Sequence, residues 1–203
     1  MIRTALSLWL GMMLVLVAPA SEAARFRANL SGPAENPANN SPGVGGATVD
    51  LDTSTHRLHV SVNFSGLTTP NTAAHIHCCI TIPNGTAGVA TTTPTFPGFP
   101  SGVTSGTYDA TLDMTQASSW NPAFITANGG TTAGAEAALA NGMNNTLSYV
   151  NIHTSQFPGG EIRGFLFLAA ESRDIPTLSQ WALSALAATL ALIALVAIRR
   201  RAS

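Results

Sequence analysis

Three histidines offer the clearest chemistry in this sequence. His75 and His77 stand two residues apart in a strand-like stretch, so their imidazoles point to one face of a sheet and Ile76 points to the other. His153 ends a second stretch of the same kind, which begins at Tyr149. Neutral imidazoles suit zinc and copper ions. If the two strands are neighbours, the three histidines form a candidate transition-metal site.

The carboxylate of Glu161 and the thiol of Cys79 are candidates for a further ligand of such a site. Glu161 follows the turn at residues 157–160, which brings it beside His153 if the segments form a hairpin, and Cys79 shares the face of the histidine pair by alternation. The alternative is a buried polar network, in which the imidazoles hydrogen-bond to Glu161, Asn151 or the backbone and hold the strands in register. Both interpretations stay open, and no cofactor is expected unless the metal interpretation holds.

No familiar catalytic motif accompanies the histidines. The sequence has neither a Gly-x-Ser-x-Gly elbow nor a His-Glu-x-x-His motif, and a copper/zinc superoxide dismutase needs more histidine ligands than these three. His56 and His59 lie in another hairpin and are expected at the surface, so that His56→Ala should change stability little. Arg163 is expected to pair with Glu161 or to be a charge on the strand surface. We therefore expect that the protein is not an enzyme.

Short strands must position these residues. Residues 58–64 alternate apolar and polar side chains, which is typical of a half-buried strand, and residues 47–51 precede them across a short polar turn. Further strands are predicted at residues 26–30, 73–79, 106–113, 148–153 and 161–168. Seven short strands separated by Gly, Pro and Asn clusters predict a mainly β fold, an antiparallel β-sandwich or barrel.

Two segments interrupt the strand pattern with helical signals. Residues 122–127 follow a candidate cap at Asn121, and residues 132–143 are rich in alanine. Residues 82–102 hold many prolines and glycines, which predicts a long loop.

The two ends of the chain carry an apolar excess. Of its 203 residues, 45% are hydrophobic and only 9% are charged, whereas soluble domains carry about 25% charged residues. Arg3, an apolar run and then small residues before Ala24 predict a secretory signal peptide over residues 1–23. The formal net charge of −1 argues against a nucleic-acid-binding protein.

A second apolar run, residues 181–198, contains no charged residue. A helix of this length spans about 27 Å, close to the roughly 30 Å of a bilayer core, and predicts one transmembrane helix. Arg199, Arg200 and Arg201 follow in a predicted cytoplasmic basic tail, residues 199–203. Because positive charge stays on the cytoplasmic side, the N-terminus is expected outside and the C-terminus inside.

Cys78 and Cys79 are the only cysteines and are adjacent. Export to an oxidising compartment favours a disulfide. Neighbouring residues bond only through a strained ring, because their Cα atoms lie about 3.8 Å apart instead of the usual 4.4–6.8 Å. A disulfide within the pair, two free buried thiols and contacts between chains all remain open.

The C-terminal region resembles the tripartite sorting signals of the IPTL-CTERM type, which share their layout with PEP-CTERM signals. The residues that carry this resemblance are Ile175, Pro176, Thr177 and Leu178, followed by the apolar helix and the arginine cluster. The resemblance implies a Gram-negative surface protein that a membrane-embedded sorting protease recognises near this motif.

The middle of the chain resembles the CHRD domain, which takes its name from chordin. The matching motifs are the opening from Leu30 to Pro37, the run from Ala74 to His77, the run from Tyr149 to Thr154 and the run from Pro158 to Gly164. The cysteine pair departs from the Gly and Pro that follow the histidines in many such domains. The resemblance implies an extracellular β-rich domain over about residues 26–168.

These features together predict an exported surface protein, with a β domain over residues 24–170 and a linker with the sorting motif over residues 171–180. The expected role is binding or matrix structure. The expected partners are the membrane, the sorting protease, and either an extracellular polysaccharide or another surface protein, without nucleic acid. The competing hypothesis is a metal-dependent envelope enzyme that uses copper or zinc at His75, His77 and His153.

Overall fold

The computed structural model describes residues 23–169 and 178–201. The predicted signal peptide and Ile175, Pro176 and Thr177 of the sorting motif lie outside the described residues. The chain divides into two compact units, Met1–Ala169 and Ala170–Ser203, and each is described by itself.

Eight strands make up most of the first unit. They are β1 (Ala24–Ser31), β2 (Val44–Asp52), β3 (Arg57–Ser65), β4 (Asn71–His77), β5 (Gly106–Asp113), β6 (Tyr149–Thr154), β7 (Ile162–Phe165) and β8 (Phe167–Leu168). They form one antiparallel sheet in the order β4-β6-β7-β1-β2-β3-β5, with β8 paired to β1, and the sheet curls into half a barrel. The prediction of a mainly antiparallel β fold is confirmed.

Alternation along the strands separates core from surface. In β3, Leu58 and Val60 are fully buried, and Arg57 and Asn63 on the other face are exposed. Each buried side chain of this size contributes about 1.5–3 kcal/mol through the hydrophobic effect. The period of two therefore sets which face of the sheet covers the core.

The predicted strand over residues 161–168 is divided in the structure. β7 ends at Phe165, and Leu166 instead donates its N–H to the carbonyl of Ser148 and buries its side chain completely. Phe167 and Leu168 then pair with β1 as the short strand β8. The hydrophobic burial of Leu166 accounts for the interruption of the ladder.

Two short helices follow β5 as expected. α1 (Pro122–Ala127) begins after Asn121, whose side chain accepts a hydrogen bond from the N–H of Ala123. α2 (Thr132–Asn144) begins after Thr131, whose hydroxyl accepts from the N–H of Gly134. These side chains satisfy N–H groups that have no partner within the first helical turn.

His56 is exposed, as expected, but it also contacts a buried carboxylate. Its side chain is half exposed, but its Nδ1 lies 2.8 Å from Oε2 of Glu136 in α2, and the Glu136 side chain is only 8% exposed. The hairpin between β2 and β3 thus contacts a buried carboxylate that arrives from a helix far along the chain. The expectation that His56→Ala would change stability little does not fit this contact.

We expect His56→Ala to lower the free energy of unfolding of the domain by about 1–3 kcal/mol, because the buried carboxylate of Glu136 loses its partner. Chemical denaturation measures the change. His59→Ala is the matched control, since the His59 side chain is 36% exposed and contacts Asp109, which is 70% exposed, and Asp50, which keeps Arg25 as a partner. Surface ion pairs of that kind contribute only about 0–1 kcal/mol. Equal losses in the two variants would contradict the role given to His56.

The second unit is described as one helix, α3 (Leu178–Arg201). It begins within the predicted linker and continues through the arginine cluster, so it is longer than the predicted span of residues 181–198. Positive charge is favourable at a helix C-terminus, where the carbonyl groups carry partial negative charge. The helix therefore includes Arg199, Arg200 and Arg201.

Candidate metal centre

β4 and β6 bring the three histidines to one face of the sheet. The antiparallel register pairs His75 with Asn151 and His77 with Tyr149, and it places His153 opposite Ala73. The opposite face of the same strands enters the hydrophobic core through four fully buried residues: Ala74, Ile76, Val150 and Ile152. The histidine face is covered instead by loops, so the imidazoles are removed from bulk water.

The three imidazole rings touch one another. The ring centroids of His75 and His153 are 5.3 Å apart, and those of His77 and His153 are 5.7 Å apart. One ring nitrogen of each histidine lies within 4.8 Å of the corresponding atoms of the other two. Tyr149 stacks on His77 with a centroid distance of 4.8 Å and nearly parallel planes.

Each imidazole uses one nitrogen to bond the backbone. The hydrogen bonds run from His75 Nε2 to the carbonyl of Pro94 (2.6 Å), from His77 Nδ1 to that of Ala87 (2.9 Å) and from His153 Nδ1 to that of Pro158 (2.9 Å). A carbonyl only accepts, so each of these nitrogens carries the hydrogen. The second nitrogen of each neutral ring is then an acceptor.

Those three acceptor nitrogens are buried and have no hydrogen-bond partner among the described residues: His75 Nδ1, His77 Nε2 and His153 Nε2. Burial lowers the pKa of His75 and of His77 to about 4, and it also lowers the pKa of His153. The rings are therefore neutral near pH 7, and each presents a free lone pair.

Glu161 does not join this cluster. Its Oε1 accepts hydrogen bonds from the hydroxyl of Ser41 (2.6 Å) and from the N–H of Thr68 (2.7 Å). The pairing between β6 and β7 ends at Ile152 and Ile162, one residue before Glu161 would face His153. The Glu161 carboxylate therefore bonds the loops that contain Ser41 and Thr68 and not the imidazole of His153.

Cys79 lies away from the histidines as well. The structure joins Cys78 and Cys79 by a disulfide, and their sulfurs lie 3.9 and 3.6 Å from the carbonyl oxygen of Ala138 in α2. The chain has left β4 at His77, so alternation no longer sets the direction of Cys79. Within the described residues, the cluster consists of the three histidines alone.

Arg163 and Glu35 are also buried polar residues, and the sequence did not predict burial for either of them. Arg163 is 1% exposed, and its guanidinium donates to the carbonyls of Ala34, Asn84 and Gly85. Its Nε lies 3.9 Å from Oε2 of Glu35, so the expectation of a surface charge or a pair with Glu161 is wrong. Register explains this: Arg163 pairs with Asn151 and therefore faces the same covered side.

Glu35 is the only acidic group found beside Arg163 in the described residues. Burial raises the pKa of Glu35 to about 7. The positive charge of Arg163 and a hydrogen bond from Asn151 act in the other direction and lower this pKa, but burial has the larger effect. A groove of about 440 Å³ lies beside Glu35, and its walls also include Pro158. Because Pro158 also holds His153 through its carbonyl, the groove lies next to the polypeptide that supports the histidines.

Comparisons with known protein families identify both the β domain and the C-terminal segment. The CHRD domain family matches residues 26–166, and the IPTL-CTERM motif matches residues 175–201. No curated protein and no solved structure matches the chain. The family match covers β2 to β7 and most of β1, and it includes all three histidines, Glu35 and Arg163. The chain therefore belongs to the CHRD domain family and carries a C-terminal IPTL-CTERM sorting motif.

Proposed function

We propose that this chain is an exported surface protein, anchored in the membrane by α3 before any sorting cleavage, that presents its CHRD domain outside the cell as a binding or matrix module. The observation that carries the proposal is α3. Its segment Leu183–Arg201, 19 residues, is long and apolar enough to cross a membrane. Its large apolar side chains are exposed, as with Leu183 and Leu192 at 64% each, and a bilayer would cover them.

The arginine cluster supports one orientation. Arg199, Arg200 and Arg201 form the last turn of α3. Positive charge beside a membrane helix is retained on the cytoplasmic side, so the C-terminus is inside and the domain is outside. The predicted signal peptide over residues 1–23 would start export in the same direction.

The surface of the sheet supports a binding role for the domain. The outward faces of β2, β3 and β5 carry neutral polar cross-strand pairs, such as Thr48 with Ser61 and Asn63 with Thr107, beside charged pairs such as Asp52 with Arg57. Hydroxyl and amide groups both donate and accept hydrogen bonds, which suits a hydroxyl-rich polymer. An extracellular polysaccharide, or another surface protein, fits this face.

The sorting motif leads to a prediction about the mature protein. A sorting protease that cuts near Ile175 to Leu178 removes about the last 25 residues, which include the apolar helix. We expect intact-mass spectrometry of the native protein to show this loss. Pro176→Ala with Thr177→Ala should retain the C-terminus, whereas Ser172→Ala, just before the motif, should be processed normally. A native protein intact through Ser203 would reduce α3 to a plain anchor.

A second candidate function is a metal-dependent envelope enzyme. The observation in its favour is the group of three free imidazole nitrogens described above. Such an enzyme needs a bound copper or zinc ion and a coordination position that a substrate reaches. The first requirement can be tested without any knowledge of the substrate.

A further inference from the structure

The histidine cluster has an imbalance of hydrogen-bond donors and acceptors. Each ring of the cluster has one buried acceptor nitrogen to which the described residues supply no donor, and one ring nitrogen of each histidine lies within 4.8 Å of those of the other two. Buried polar atoms in folded proteins are nearly always paired, and an unpaired one destabilises the fold. Three unpaired acceptors on three adjoining rings match the needs of a cation.

We propose that His75 Nδ1, His77 Nε2 and His153 Nε2 bind one divalent transition-metal ion of the Zn²⁺ or Cu²⁺ class. Metal–imidazole bonds are about 2.0–2.1 Å long, which places tetrahedral ligand atoms about 3.3 Å apart. One nitrogen of each ring lies within 4.8 Å of those of the other two, so the rings are close enough to share one ion. Imidazole is the ligand that zinc and copper share.

The backbone carbonyls supply the supporting shell that a metal site requires. Metal-binding histidines donate their other ring N–H to a carbonyl or carboxylate, which fixes the tautomer and the ring orientation. The carbonyls of Pro94, Ala87 and Pro158 accept these three bonds here. His77 is held further by the ring of Tyr149.

The ligand set distinguishes this site from a closed structural zinc site. Structural sites use four protein ligands, whereas sites that exchange ligands use three and leave a fourth position. Glu161 bonds Ser41 and Thr68, and Cys79 is held in the disulfide beside α2, so neither completes the shell. The fourth position then belongs to water or to an external ligand.

This inference goes beyond the proposed surface role, because metal binding depends on the domain alone and not on α3 or the sorting motif. The experiment uses the full chain without a histidine tag, purified in detergent and stripped with a chelator. The protein is then dialysed against ZnCl₂ or CuCl₂, and bound metal is counted by elemental analysis. We expect one ion per chain.

Variants assign the ion to the cluster. His77→Gln and His153→Gln should each weaken binding by about 100-fold or more, since each removes a direct ligand and the loss of an outer-shell partner alone costs about 10–100-fold. His59→Gln is the matched control, because His59 lies in β3 beside the exposed Asp109 and far from β4 and β6 in the sheet order. Wild-type protein that retains no ion after dialysis, or equal binding in the His77 and His59 variants, would overturn the proposal.

A second measurement covers the case in which the ligand variants fail to fold. The electron paramagnetic resonance spectrum of the Cu²⁺-loaded wild-type chain should show coupling to three imidazole nitrogens. A spectrum with oxygen ligands only, or with a single imidazole, would exclude the three-histidine site. Either result is independent of how the protein is sorted.

Discussion

Arg163→Met is expected to lower the free energy of unfolding of the domain by about 3–5 kcal/mol. The Arg163 guanidinium is buried beneath two loops and donates to three backbone carbonyls, those of Ala34, Asn84 and Gly85. Methionine fills a similar volume but donates nothing. The loss therefore leaves the carbonyls without this donor and Glu35 without its buried countercharge.

Chemical denaturation of the variant and of two controls tests this expectation. Arg27→Met replaces an exposed arginine in β1 and should change stability by less than about 0.5 kcal/mol. The loss of stability in Arg163→Lys should lie between the losses in Arg163→Met and Arg27→Met. An ammonium group keeps the charge, but it lacks the planar guanidinium geometry that reaches separate carbonyls. If Arg163→Met matched Arg27→Met, the guanidinium would not be holding the loops.

The same substitution connects stability to the histidine cluster. Arg163 bonds the carbonyls of Asn84 and Gly85, in the loop that also carries Ala87. The carbonyl of Ala87 orients His77. Loosening this loop should weaken metal binding at the cluster, although Arg163 itself offers no metal ligand.

Gly164→Ala is expected to be the most destabilising small substitution in the sheet, with a loss of about 3 kcal/mol or more. A Cβ atom at Gly164 would overlap the backbone carbonyl oxygen of Asn29 in β1, and it would stand 2.8 Å from the carbonyl carbon of the same residue. Backbone atoms held in a ladder cannot rotate away, so β7 and β1 must separate.

Gly159→Ala is the matched control for this prediction, because a Cβ atom there meets nothing within 4 Å. Both changes add one methyl group within the same stretch of chain. Thermal unfolding followed by circular dichroism compares them directly. An unchanged melting temperature for Gly164→Ala would contradict this prediction, because it would mean that β7 and β1 can move apart without loss of stability.

Local patterns accounted for most of the secondary structure. The alternation at residues 58–64 placed Leu58 and Val60 in the core, the cap at Asn121 marked the start of α1, and the alanine-rich run at residues 132–143 predicted α2. The same period of two placed His75 and His77 on one face. These inferences succeeded because each depends on residues within a few positions of one another, whose spacing is fixed by strand or helix geometry.

Contacts between distant residues decided the composition of the site. Glu161 bonds Ser41 across 120 residues, and Arg163 bonds Ala34 across 129, while the spacing in the chain suggested that Glu161 and Arg163 would pair with each other. The tautomers of the histidines likewise depend on carbonyls that two loops supply. The sequence pattern specified which faces are apolar and which residues carry chemistry. Only the tertiary structure decided which polar groups meet, because strand order and loop paths follow from packing of the whole sheet and not from local spacing.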